Sequence, residues 1–337
     1  MLYPKFLKDG NTIGVPAPSA GAANKQKKNK YKHAIKFFEE SGYKLELSNN
    51  LFNNYMERSA DNKVRGKEIN DMFKSKDIDL ILCASGGEFL VECLPYVDFE
   101  LLKKNPKFVV GFSDPTGILF PITTKYDIAT IYGNNFSSYG CSERSKSLYD
   151  LLYLIRGEKF NFKSYPFYEE ERIERITGLE PLNLTKRVRW KTLDKSDITV
   201  KGRIIGGCFD LISELMGTKY DGMKEFNEKY KKDGIIWFFD NCEKSMEDTI
   251  RILWKMNEFG YFKYCKCVIF GRFGNPTSYA GYDVKTCLMD SVLNELNIPI
   301  IYDADISHKP ETLPILIGSI ATVSCIKNKG TISFEMK

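Results

Sequence analysis

The stretch Lys107-Phe108-Val109-Val110-Gly111-Phe112-Ser113-Asp114-Pro115-Thr116 runs from an apolar segment through small and turn-forming residues into a helix-like segment that reaches Thr124. A second apolar run follows at 128–132. Apolar strand, helix and apolar strand at this spacing make a βαβ crossover, and crossovers imply a parallel sheet. Working outward, the same alternation continues toward the start of the chain. Strands are expected at 12–15, 43–47 and 78–83, with helices at 24–40 and 62–73 between them. Ala34, Ile35, Phe37 and Phe38 form the apolar stripe of the first helix. Its basic run at 25–32 reads as a solvated face rather than a binding patch. In parallel α/β sheets, reactive groups gather at the carboxyl ends of the strands. The fold class is therefore α/β with a parallel sheet.

At 337 residues the chain is long enough for two domains, taking about 150 residues as a typical unit. The region 157–197 is charged and poorly periodic, so it reads as a linker between an N-terminal domain at 1–156 and a C-terminal domain at 198–337. The second block offers strands at 204–207, 235–239, 267–270 and 298–302. Helices fall near 208–216 and 245–257, and a β-rich tail covers 314–336. A composition of 43% hydrophobic and 28% charged residues excludes a disordered chain. The net charge of +5 is small and, along the sequence, diffuse, which argues against nucleic acid as a partner. No apolar run is long enough to span a membrane, and the start lacks the pattern of a secretory signal, so a cytoplasmic protein is expected. Nine cysteines, with no C-x-x-C pair, read as reduced thiols and give no zinc motif; neither metal nor cofactor is called for. Any mechanism that needs an imidazole must use His33 or His308, the two histidines.

Four segments could carry chemistry. Ser113 lies on a tight strand-to-helix turn, where a helix N-terminus would favour a nearby oxyanion; the plain alternative makes Ser113 or Asp114 an N-cap. Gly86-Gly87, after the strand that ends at Cys83-Ala84, could aim backbone N–H groups at an anion, or simply turn the chain. His308 follows the strand at 298–302 and would otherwise be a surface loop residue. Asp240 ends the apolar run Ile235-Ile236-Trp237-Phe238-Phe239, where a carboxylate could orient an imidazole or cap a helix. Trp237 and Trp254 fall in apolar patterns and read as core.

Taken in order, these segments resemble the serine LD-carboxypeptidase family, which includes the microcin C immunity proteins. The resemblance runs through Leu7-Lys8-Asp9-Gly10-Asn11-Thr12-Ile13-Gly14, Gly86-Gly87, Leu94-Pro95-Tyr96-Val97-Asp98-Phe99-Glu100 and Gly111-Phe112-Ser113-Asp114-Pro115-Thr116. It continues through Gly202-Arg203, Gly206-Gly207, Gly217-Thr218-Lys219-Tyr220, Gly271-Arg272-Phe273, His308 with Pro310, and Leu313-Pro314. It implies an N-terminal α/β domain, a smaller mixed α/β C-terminal domain, and a homodimer. It makes Ser113 the nucleophile, His308 the general base and then acid, and Asp240 the third member of the relay. The oxyanion would rest on backbone N–H groups of Asp114 and of Gly86 or Gly87.

The chain departs from the family at several points. Asp240 stands where the family has glutamate, a shortfall of roughly 1.5 Å in reach; Asp303, Asp305 or Glu243 could stand in, though position favours Asp240. Ala84-Ser85 replaces an arginine before the two glycines, Tyr132-Gly133-Asn134 replaces His-Gly-Pro, and Gly206-Gly207-Cys208 replaces Gly-Gly-Asn. In Arg187-Val188-Arg189-Trp190-Lys191, Trp190 could stack on a nucleobase, as a loop tryptophan does in the immunity branch, or act as an anchor among cations. The expected activity is hydrolysis of a small peptide-like amide through an acyl-enzyme, with release of D-alanine from a murein tetrapeptide. One alternative is hydrolysis of a peptidyl or aminoacyl nucleotide. Another is a non-catalytic ligand-binding relative with a decayed relay.

Overall fold

The computed structural model describes residues 1–171 and 173–337, and the chain divides into two compact units. The first comprises Met1–Lys159 with residues 173–183, and the second Phe160–Glu171 with Leu184–Lys337. The chain passes between the units within the stretch 157–197; Arg172, in that stretch, lies outside the described residues. The two units are of nearly equal length, the second slightly the shorter.

The first unit alternates strand and helix: β1 (Thr12–Val15), α1 (Lys25–Glu40), β2 (Lys44–Leu47), α2 (Asn62–Lys74), β3 (Leu80–Leu82), α3 (Phe99–Lys104), β4 (Phe108–Gly111), α4 (Thr116–Tyr126), β5 (Thr130–Tyr132) and α5 (Lys146–Ile155). Its strands run parallel in the order β5-β4-β3-β1-β2. Strands β3, β4 and β5 are buried throughout, as continuous apolar runs require, whereas the edge strand β2 alternates exposed and half-buried residues. The sheet changes direction between β1 and β3, and ligands of such sheets bind beyond the carboxyl ends at that point. Ser113 and Gly86-Gly87 follow β4 and β3 at that end.

The second unit holds β6 (Asn161–Lys163), β7 (Phe167–Tyr168), β8 (Lys186–Arg187), β9 (Lys191–Thr192), β10 (Ile198–Cys208), α6 (Phe209–Leu215), α7 (Met223–Tyr230), β11 (Ile235–Asp240), α8 (Met246–Glu258), β12 (Cys265–Gly271), α9 (Val284–Met289), β13 (Ile300–Ala304), β14 (Ile315–Ile317), β15 (Ile320–Ile326) and β16 (Lys329–Glu335). Its sheet runs β6-β16-β15-β10-β11-β12-β13-β9. The centre, β10 to β13, is parallel, and antiparallel strands flank it on both sides, which makes the sheet mixed. All six residues of β11 are buried. Trp237 stacks on Tyr261 at 5.4 Å inside this core, while Trp254 is 59% exposed on α8 and is not a core residue.

Among the described residues no helix is long and apolar enough to cross a membrane. Gly330, after the β15–β16 turn, lies against the indole of Trp190: an added Cβ would sit 2.1–2.4 Å from three ring atoms. Gly330→Ala should therefore overpack the second unit by about 1–3 kcal/mol. Calorimetry should show this as a drop in melting temperature of roughly 2–4 °C per kcal/mol; an unchanged melting temperature would show that the indole can give way.

Candidate active site

In the first unit, β4 ends at Gly111 and the chain turns sharply before α4 begins. Ser113 adopts φ +69, a left-handed conformation rare for a residue with a side chain. Such strain persists where the surroundings over-determine it, and here they do. The Asn135 amide grips Phe112 at both ends, its Oδ1 accepting the Phe112 N–H at 2.9 Å and its Nδ2 donating to the Phe112 carbonyl at 3.0 Å. The Tyr132 hydroxyl accepts the Ser113 N–H at 3.3 Å, and the Ser113 carbonyl accepts the Thr116 N–H at 2.9 Å.

Neither Ser113 nor Asp114 caps the helix; Pro115 holds that position with no side-chain bond. Asp114, fully buried, accepts instead from the Ser19 hydroxyl and from the Leu90 N–H. Gly86 approaches the serine closely: a Cβ there would meet Ser113 Cβ at 3.0 Å and Oγ at 3.3 Å. A side chain at this position would press on the serine unless the serine gave way by a few tenths of an ångström. The structure thus gathers Ser113, Asp114, Gly86 and Gly87 at one end of one sheet. Asn135, which helps fix the turn, was not singled out from sequence, and Tyr132 was noted there only as the residue that begins Tyr132-Gly133-Asn134, with no role attached.

In the second unit, Asp240 is the polar residue that ends the buried strand β11, and it is fully buried. Its Oδ1 accepts the His308 backbone N–H at 3.1 Å and lies 2.9 Å from His308 Nδ1. The shorter aspartate therefore reaches the ring. Ser245, not Asp240, caps the helix that follows. Burial pushes the imidazole pKa down, but the Asp240 charge and hydrogen bond, with the neighbouring Cys242 thiol, outweigh it and hold His308 up at about 10, against 6.5 for a free ring. His33 is exposed on α1.

The loop that carries His308 has its own anchor. Asp305, fully buried at the end of β13, pairs with Arg272 at 2.5 Å and accepts the Trp190 indole N–H at 3.0 Å and the Tyr165 N–H at 3.1 Å. Arg272 then reaches the carbonyls of Lys309 and Glu311, at 2.8 and 2.7 Å. Ser307 Oγ donates to the Arg272 carbonyl at 2.5 Å. The residues on both sides of His308 are thus tied to one arginine. Trp190 is 0% exposed and offers no face to a base, which corrects its reading as a stacking residue. Asp303, a candidate stand-in for the relay, pairs with Lys191 at 2.8 Å instead. Arg272 was visible in sequence only as part of Gly271-Arg272-Phe273, with no role attached.

A strand-end serine on a strained turn and a buried carboxylate–imidazole pair are components of serine-hydrolase chemistry. The chain matches the LD-carboxypeptidase N-terminal domain over residues 13–133 and the LD-carboxypeptidase C-terminal domain over residues 201–323. It belongs to the LD-carboxypeptidase family of peptidase-type hydrolases. It is 27% identical to the Microcin C7 self-immunity protein MccF of Escherichia coli, over 93% of this chain and 90% of that one. It is 26% identical to a probable murein peptide carboxypeptidase of Bacillus subtilis, over 98% and 93%. A solved structure of MccF, the wild type in its apo state, superimposes at a TM-score of 0.83 and 22% identity, covering 100% of this chain and 99% of that one, which shows the same fold.

Two outcomes follow from the second unit. Because the folded pKa of His308 lies above its unfolded value, the pair stabilises the fold fully below about pH 6.5 and loses that contribution as pH rises through about 10. Asp240→Asn should thus lower the melting temperature far more near pH 6 than near pH 10.5; an equal drop at both would show that the pair is not held by charge. Arg272→Ala leaves Asp305 buried without its ion partner, which should cost about 3–5 kcal/mol in chemical denaturation.

Proposed function

We propose that this chain is a serine carboxypeptidase of the LD type, with Ser113 as nucleophile and His308, oriented by Asp240, as its base. The observation that carries this reading is the 2.9 Å contact of His308 Nδ1 with Asp240. A carboxylate at Nδ1 keeps a proton on that nitrogen, and in the neutral ring, the form that grows as pH rises toward about 10, Nε2 is left to take one up. Ser113 Oγ attacks the scissile carbonyl carbon while its proton passes to His308 Nε2. The carbonyl oxygen becomes an oxyanion, received by backbone N–H groups of Asp114 and of Gly86 or Gly87. Collapse breaks the C–N bond, and His308 returns the proton to the leaving amine. Water then attacks the acyl-serine by the same proton path and frees the acid. An intact Asp240–His308 contact supports a working relay rather than a decayed one.

The substrate reading is an amide joining an L-centre to a terminal D-residue, as in a murein tetrapeptide, with D-alanine released. Its support is the family and the murein carboxypeptidase relative. The MccF relative favours a second reading, a peptidyl nucleotide, so both belong in one assay. The purified protein and Ser113→Ala would meet a murein tetrapeptide and a peptidyl-aspartyl-nucleotide analogue together, with products read by mass spectrometry. Wild type should release D-alanine, and the variant should lose at least about a thousandfold in rate. Cleavage only at the nucleotide side would replace the murein reading with the second. Turnover retained by Ser113→Ala would remove Ser113 as nucleophile.

A further inference from the structure

We propose that the second unit carries a binding track for an oligophosphate, centred on Arg189 and independent of the hydrolase reading. Residues 187–192 run from the end of β8 through β9, and exposure alternates along them as in a strand. Arg187, Arg189 and Lys191 are exposed, while Val188 is half-buried and Trp190 and Thr192 are buried. Trp190 is the peg of this row. Its indole donates to Asp305, its ring lies under Gly330, and its backbone N–H donates to the Asn328 carbonyl at 3.1 Å. Val188 N–H donates to the Pro166 carbonyl at 3.1 Å. The cations are therefore mounted on fixed backbone, so little ordering is left for a ligand to impose.

Three cavities of about 840, 360 and 300 Å³ surround this row and join through shared lining residues. Arg187 and Arg189 line both the first and the third; Arg189, Lys327 and Asn328 line both the first and the second. The largest is lined by Lys163, Arg187, Arg189, Lys327 and Lys329, with no carboxylate. Over all three, and leaving out Arg272, which Asp305 neutralises, eight cationic side chains face three carboxylates, an excess as large as the +5 of the whole chain. The charge that looks diffuse along the sequence is concentrated on one face. Of the three carboxylates, Asp303 is held by Lys191 and Glu170 by Lys186, and Asp197 accepts the Lys327 N–H.

Unneutralised cations in concave, preformed cavities are a site for anions, and arginine forks match phosphate oxygens in pairs. Several cations spread over joined cavities suit linked phosphates better than a single one. In the row itself the one ring, that of Trp190, is buried; of the rings that line the three cavities only Tyr168 is half-buried, and the Arg272 guanidinium covers it at 4.4 Å, so no free face is offered for bases to stack on. The ligand class is thus the phosphate chain itself and not single-stranded nucleic acid.

Inorganic tripolyphosphate is the probe, titrated into the full chain by calorimetry at low salt without any peptide substrate. Binding should weaken at least tenfold in the double variant Arg189→Glu with Lys327→Glu. It should weaken as salt rises, and it should persist in Ser113→Ala and in Lys74→Glu, a charge reversal in the first unit. Absence of binding, or equal binding by the double variant, would overturn the proposal. An oligothymidylate of matched charge that binds more than tenfold tighter would overturn the oligophosphate assignment in favour of nucleic acid. Failure of the peptidase assay leaves this measurement untouched, since it needs no turnover.

Discussion

One buried carboxylate, Asp305, orders much of the second unit's functional face. Taken out of water, it must be compensated almost completely, and a guanidinium, an indole N–H and a backbone N–H converge on it. Burial pushes its own pKa up, and Arg272 acts against that, so the pair depends on its geometry. Each of those partners belongs to a different part of the chain: Arg272 follows β12, Trp190 precedes β9, and Tyr165 lies between β6 and β7. A single charge therefore fixes the register of three segments. The His308 loop inherits its position from Arg272, and the basic row inherits its from Trp190.

In the first unit the constraint is conformational rather than electrostatic. Ser113 sits at φ +69, which costs on the order of 1–3 kcal/mol for such a residue. The neighbours offset that cost by hydrogen bonds: Asn135 on the Phe112 backbone, Tyr132 on the Ser113 N–H, and Asp114 turned inward to accept from the Ser19 hydroxyl and the Leu90 N–H. An N-cap serine would have needed none of this. The close approach of Gly86 to the serine side chain favours a glycine after β3 at that point.

Much of this was legible from sequence because it rests on local pattern. The apolar runs around 81, 109 and 131 are buried on both faces and stand out as parallel strands, and Asp240 is conspicuous as the one charge ending β11. What escaped has physical reasons. The short helices α3 and α9 have six residues each, too few turns for an apolar stripe. The strands β6 to β9 have two or three residues each and owe their form to distant partners, such as Thr331 opposite Lys163. Asn135 and Arg272 act on residues 23 and 33 positions away, a relation that no local pattern encodes.

The two readings of Trp190 show where composition misleads. A tryptophan among arginines is equally consistent with an aromatic platform flanked by charge and with a charged platform held by an aromatic peg. Gly330 decides between them. With no side chain there, the indole drops into the sheet, and the strand-like alternation along 187–192 then puts Arg187, Arg189 and Lys191 on the opposite side. Burying the ring and exposing the cations are thus one event, set by a glycine about 140 residues downstream. Whatever this face of the second unit recognises, the segment 187–191 meets it with fixed positive charge and not with a ring.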